Sequence, residues 1–393
     1  MTTNSNSPPP RHRNVGVPGQ VVLVFQGGGA LGAYQAGVYQ AMHEAAIEPN
    51  WLVGTSIGAI NAALIVGNRR EDRVAALQAF WQGLATRPSW GPWSLWPQTS
   101  ALMSQWTAMC QGIPGFFEPN AAAFLGPRLP LSPESAGYYS ITPLKRTLAE
   151  LVDIDLINQK RPRLTVGAAH VRTSQMHYFD NRKTQISLEH ILASGALPPA
   201  FPPVRIDGEL FWDGGVVSNT PTEVVFKDDP RRNSLVFAVH VWQPTGPEPE
   251  TMSDVLHRQK DIQYSSRMAN DIANQQEMHR LRHIITALSE RLPEKDRDAP
   301  EVREMVAEGC PTRIHIVQLL APRLANEDEN KDVDFSAAGI EERWAAGYQE
   351  MRHAIERRPW QGVWPTLDGV VLHGQPDSLA LDELGRPVVE VKR

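Results

Sequence analysis

Two strand–turn–helix units stand within the first 67 residues, and each turn is built on glycine. Residues 21–25, Val-Val-Leu-Val-Phe, form an unbroken apolar run rich in β-branched side chains. Such a run reads as a strand covered on both faces, the kind found in parallel sheets. Gly27-Gly28-Gly29 ends it, and a helix pattern follows over about 30–46. Residues 51–53 give a second short strand, closed by Gly54. Residues 57–66 are apolar on every side, which predicts a helix inside the core rather than on its surface. Repetition of this unit implies an α/β fold: three layers, with a central, mostly parallel sheet flanked by helices.

Downstream, 73–84 is helical in pattern. Residues 88–140 differ: they are rich in Pro and Gly and hold Trp90, Trp93, Trp96 and Trp106. Further strands are expected at 164–170, 177–180, 210–212, 235–242 and 314–320. A long helical stretch covers 251–292, with Leu281, Ile284, Leu288 and Leu292 on one face. Ile340, Trp344, Tyr348, Met351 and Ile355 follow helical spacing, with Asp334 or Ser336 as the cap. Residues after Trp360 show no pattern.

Composition removes several classes. The chain of 393 residues is 41% hydrophobic and 21% charged, as in an ordinary globular protein. A formal net charge of −6 argues against nucleic-acid binding, which needs a basic face. Cys110 and Cys310 belong to no ligand-spaced cluster, so neither a disulfide framework nor a zinc site is expected. Residues 1–18 are polar, contain Pro8-Pro9-Pro10 and lack an apolar signal region; a disordered tail is expected there. No apolar run approaches the roughly 20 residues of a membrane span. The expected location is the cytoplasm, with any membrane contact peripheral and a homo-oligomer left open.

Chemistry concentrates at three places. Gly54-Thr55-Ser56-Ile57-Gly58 is a G-x-S-x-G match between a strand and a helix. Glycines there let the chain turn sharply and present a serine Oγ outward, next to the positive end of a helix. Ser56 is therefore the candidate nucleophile. Gly27-Gly28-Gly29-Ala30-Leu31-Gly32 also fits the dinucleotide fingerprint G-x-G-x-x-G. That role needs an acidic residue at the tip of the second strand, where Gly54-Thr55-Ser56 stands instead. The other role is an oxyanion hole built from the backbone N–H groups of Gly27, Gly28 and Gly29. For the base, His170, His177, His240, His279, His283 and His315 lie downstream, none in a recognisable loop. Asp213-Gly214-Gly215, at the end of an apolar strand, is the better candidate, although Asp-Gly is also a common turn.

Four segments in order resemble the patatin-like phospholipase family: Gly27 to Gly32; Gly54 to Asn61; Ala193-Ser194-Gly195-Ala196-Leu197-Pro198 with Phe201-Pro202-Pro203; and Asp213-Gly214-Gly215-Val216. The resemblance implies a Ser–Asp dyad of Ser56 and Asp213, the oxyanion loop of Gly27 to Gly29, and lipid acyl esters as substrates. Gly32, Gly54, Gly58, Gly214 and Gly215 would support that site. It implies a catalytic domain over 19–245, and no cofactor or metal is expected. A mainly helical module at 246–360, contributing the strand at 314–320, resembles the extra module of a bacterial subgroup; 361–393 is left as a tail. Many members carry a cation where Leu31 stands, so a neutral ester or lysolipid is as open as a phospholipid.

The tryptophans of 88–140 read either as core under an irregular segment or as an acyl pocket or lid. His279 and His283 have helical metal spacing but lack a third ligand. A catalytically silent lipid-binding or scaffolding protein on the same fold is the alternative function.

Overall fold

The computed structural model describes residues 16–86, 112–265, 268–297, 299–324 and 327–374. Expectations that rest on residues 1–15, on Trp90, Trp93, Trp96, Trp106 and on Cys110 lie outside the described residues.

The first unit is strand β1 (Gln20–Phe25), a single 3-10 turn (Gly29–Gly32) and helix α1 (Ala33–Glu44). The second is β2 (Trp51–Thr55) and α2 (Ile57–Val66), followed by α3 (Arg73–Leu84). Every residue of α2 is buried, as its uniform apolarity requires. The sheet continues with β3 (Arg163–His170), β4 (Met176–Asp180), β5 (Val204–Ile206), β6 (Glu209–Asp213) and β7 (Ser234–His240). Strands β8 (Ile314–Leu320) and β9 (Val370–His373) complete it. The order is β9-β8-β7-β1-β2-β3-β6-β5, with β4 on the other edge of β3. The run from β9 to β3 is parallel, and the pairings of β4, β5 and β6 are antiparallel.

Alternation along β1 sets the layers. Val21, Leu23 and Phe25 enter one core with α1, α2 and α3. Val22 and Val24 enter a second with Val225, Phe226 and Ile272. Helix α4 (Ala337–Arg357) joins the first layer across α1. The two backbones nearly touch: a Cβ on Gly37 would lie 1.9 Å from Trp344 O, and one on Gly347 would lie 2.0 Å from Tyr34 O.

The helical stretch expected at 251–292 is two helices, Met252–Ser265 and Met268–Ser289. The second turns Ile272, His279 and His283 inward, while Leu281 and Leu288 remain more than half exposed. Its sheet-facing side is thus not the leucine stripe. Both ring nitrogens of His283 contact backbone carbonyls, of Thr366 and Thr312, at 2.9 Å. Strand β9 forms where the sequence shows no pattern; four residues are too few to display a period, and pairing of Ile314 with Val370 fixes them. No described helix is long and apolar enough to cross a membrane.

Candidate functional site

The turn between β2 and α2 is tight. Ser56 has φ 57° and ψ −131°, a left-handed conformation for a residue with a side chain. Such geometry costs about 1–3 kcal/mol and persists only where packing enforces it. Here the enforcement is visible. A Cβ on Gly54 would lie 2.4 Å from Gly58 O, and one on Gly58 would lie 2.6 Å from Phe25 O. The Ser56 amide donates to Ser194 Oγ at 3.0 Å, and that hydroxyl donates to Gly167 O at 2.6 Å.

Asp213 ends β6, which lies in line with β2 along one edge of β3. Asp213 and Ser56 line the same cavity, the Ser56 hydroxyl lies close enough to lower the carboxyl's pKa, and the Gly215 amide donates to Asp213 Oδ1 at 2.7 Å. The Asp213 amide is held by Ala196 O at 2.9 Å. Asp213 is only 1% exposed. Burial drives its pKa up to about 7 against the opposing pull of the nearby Ser56 hydroxyl and the Gly215 amide.

The glycine loop meets Ser56 from the neighbouring unit. Gly27 does not offer its amide: that N–H donates to Asn219 O at 3.2 Å. Its carbonyl accepts from Trp242 Nε1 at 2.7 Å and Asn219 Nδ2 at 3.1 Å. In this structure the Gly27 amide is thus already engaged, unlike those of its two neighbours. The amides of Gly28 and Gly29 have no acceptor among the described residues. Gly29 has φ 55°, and a Cβ there would lie 2.2 Å from Asp332 O.

Ser56, Asp213, Gly28 and Gly29 open on one cavity of about 260 Å³. Much of its remaining wall is apolar, with Ile60, Phe116, Phe117, Leu197, Phe201 and Phe335. Tyr264, Asp332 and Val333 reach it from the C-terminal half of the chain. No histidine among the described residues lines it. His240, at the end of β7, is buried and pushed down to about 4 by desolvation. No cluster of three or more His, Cys, Asp or Glu suited to a metal occurs among the described residues.

Three contributors were not assigned a role from sequence. Ser194 lies inside a recognised segment, yet nothing local reveals that its hydroxyl reaches Ser56. Asn219 and Trp242 lie in no motif. A fourth finding concerns Leu31, where a cation was missed. Lys331, from the far end of the chain, lines the same small pocket as Leu31. It is 2% exposed, its Nζ lies 2.8 Å from Asp261 Oδ1, and it stands over the Trp242 ring at 5.2 Å. A buried cation therefore does stand beside the glycine loop, already paired.

Residues 23–226 match the patatin-like phospholipase family, and residues 262–366 match a second family described as patatin phospholipase. The chain belongs to the patatin-like phospholipase family. This is a family of lipid acyl hydrolases, and its sheet-and-helix architecture is the one seen here. Among similar patatin-like proteins are uncharacterised NTE family proteins of Mycobacterium bovis and Mycobacterium tuberculosis. Each is 28% identical over 207 residues, covering 52% of this chain and 28% of the relative. The chain thus spans less than a third of the length of these relatives. Solved structures with some likeness include VipD from Legionella pneumophila, at 13% identity and TM-score 0.38, covering 86% of this chain and 67% of that one. The type III effector ExoU is 13% identical at TM-score 0.32, covering 87% of this chain and 53% of that one. Neither superposition is close enough to carry an argument.

Proposed function

We propose that this patatin-like protein is a carboxylic ester hydrolase of lipid substrates, with Ser56 as nucleophile and Asp213 as its base. The observation that carries the proposal is one cavity shared by Ser56, the Gly28 and Gly29 amides and a buried carboxylate, Asp213, whose pKa is raised to about 7. A free Asp, at about 3.9, is a poor acceptor for an alcohol proton; a base poised near neutrality is a far better one.

The steps are as follows. Ser56 Oγ forms a bond to the acyl carbonyl carbon while its proton passes to Asp213. The tetrahedral oxyanion is held by the amides of Gly28 and Gly29. Collapse breaks the ester C–O bond, and the leaving alcohol takes the proton from Asp213. Water then attacks the acyl-enzyme, gives its proton to Asp213 and releases the fatty acid as Ser56 is restored. The apolar wall of Phe116, Phe117 and Phe201 suits the acyl chain of such an ester.

The test is release of fatty acid from a panel of monoacyl and diacyl esters, neutral and phosphorylated. Wild-type turnover that vanishes in Ser56→Ala supports the proposal. Absence of turnover on every lipid ester would refute it.

A further inference from the structure

Four large apolar side chains are exposed on one lobe beside the cavity. The short antiparallel ladder of Glu118–Pro119 with Tyr139–Ser140 closes a loop over 120–138. Its base is tied: the Asn120 amide donates to Tyr138 O at 2.9 Å, and Asn120 Nδ2 donates to Ser135 O and Gly137 O at 2.9 Å. The loop is a preformed platform. On it Phe124 is 58% exposed, Leu125 79%, Leu129 44% and Tyr138 39%. Single exposed apolar residues are ordinary; a contiguous group marks an interaction surface.

The lobe is continuous with the acyl cavity. Phe124 packs on Tyr138 at 5.3 Å and on Tyr139 at 6.4 Å between ring centroids. Tyr139 lines the cavity and packs on Phe117 at 4.9 Å and Phe201 at 6.3 Å, which line it too. An unbroken aromatic path thus runs from an exposed Phe124 to the wall of the site. The lobe is also nearly free of charge. Between 120 and 138 the charged residues are Arg128 and Glu134, and Glu134 is paired with Arg205 at 2.6 Å. A surface that binds anionic headgroups would need a cluster of cations here.

We propose that this lobe docks the protein on an uncharged or zwitterionic lipid surface, with Phe124 and Leu125 inserted, so that an acyl chain passes along the aromatic path to Ser56. The inference rests on the hydrolase reading for its final step only; docking itself does not require catalysis. Burial of apolar side chains in the headgroup boundary drives such contacts, and they are insensitive to salt.

The experiment is co-sedimentation of the full chain with phosphatidylcholine vesicles at low and high salt. Turnover of a soluble short-chain ester and sedimentation velocity are measured in parallel. Wild type should bind at both salt concentrations. The Leu125→Ser/Leu129→Ser variant, off the aromatic path, should bind at least about tenfold more weakly, the loss expected when two large apolar groups leave an apolar phase. Its soluble-ester turnover should be unchanged. If that turnover also falls, Leu125→Ser alone is read in its place with the same expectation. Three results would overturn the proposal: no binding of wild type to neutral vesicles, binding that requires anionic lipid, or equal binding by the variant. A wild-type dimer that dissociates in the variant would overturn it as well, assigning the lobe to a second copy. Vesicle binding by a wild type that turns over no ester would leave docking standing and remove the hydrolase reading instead.

Discussion

Thr55 and Asp213 pair with consecutive residues of one strand: Thr55 stands opposite Gly167, and Asp213 opposite Ala168. Ala168 also pairs with His177 of β4, which occupies the other edge of β3. Asp213 must therefore lie on the edge that β2 occupies, just past the point where β2 ends. The antiparallel β6 runs head-on toward the turn that carries Ser56. Sheet register, rather than any loop, brings the hydroxyl and the carboxylate together, which gives the pair the rigidity a preorganised site needs.

Ser194→Ala should separate positioning from folding. It leaves the half-buried Ser56 amide and the buried Gly167 carbonyl without their shared partner. Unsatisfied buried groups cost about 1–3 kcal/mol, so thermal stability should fall measurably. A displaced nucleophile costs up to about 10²-fold in rate. The expected signature in steady-state kinetics is a fall in kcat with KM nearly constant.

The pH dependence follows from Asp213. The base must be ionised to accept a proton, so kcat/KM should rise with pH through about 7 and level off above it. The stability effect has the opposite sense. Burial raises the folded-state pKa above the unfolded value of 3.8, so the folded state holds a proton that the unfolded chain has lost. Wild-type stability is thus eroded as pH climbs from about 4 to 7. Asp213→Asn should abolish the activity and be more stable than wild type at pH 8, with that advantage shrinking toward pH 4. Thermal melts across this range check the sign.

Gly29→Ala should disable the proposed oxyanion loop. A side chain there is strained at φ 55° and collides with Asp332 O at 2.2 Å. Loss of an oxyanion donor typically costs about 10²–10³ in kcat. Substrate binding in a Ser56→Ala/Gly29→Ala double variant should stay close to that of Ser56→Ala alone.

Lys331→Met should be costly. Asp261 is wholly buried and would lose the nearest of its cationic partners. Breaking one side of a buried pair costs about 3–5 kcal/mol. Adding Asp261→Asn should recover a large part of it, as measured by urea unfolding at neutral pH.

Much of this arrangement is legible in the sequence because it is local. The runs at β1, β2 and α2 are apolar in ways that only a buried parallel sheet and a core helix explain. The Gly54 to Gly58 spacing reports a close strand–helix approach. What stays hidden depends on partners far along the chain. The capture of the Gly27 amide by Asn219, the bond from Ser56 to Ser194, and Lys331 beside Leu31 leave no periodic trace. The exposed leucines of Met268–Ser289 show the limit from the other side. An apolar stripe at helical spacing reveals a face but not what covers it, and here the sheet takes the face of Ile272, His279 and His283.

The central claim is that Ser56 is activated by Asp213. It is tested most directly by mapping the adduct of a fluorophosphonate probe by peptide mass spectrometry in wild type, Ser56→Ala and Asp213→Asn. The account predicts one phosphonylated residue, Ser56, in wild type. No adduct should form in Ser56→Ala, and labelling should be slower by orders of magnitude in Asp213→Asn. An adduct on another residue, no adduct at all, or Asp213→Asn labelling at the wild-type rate would contradict it.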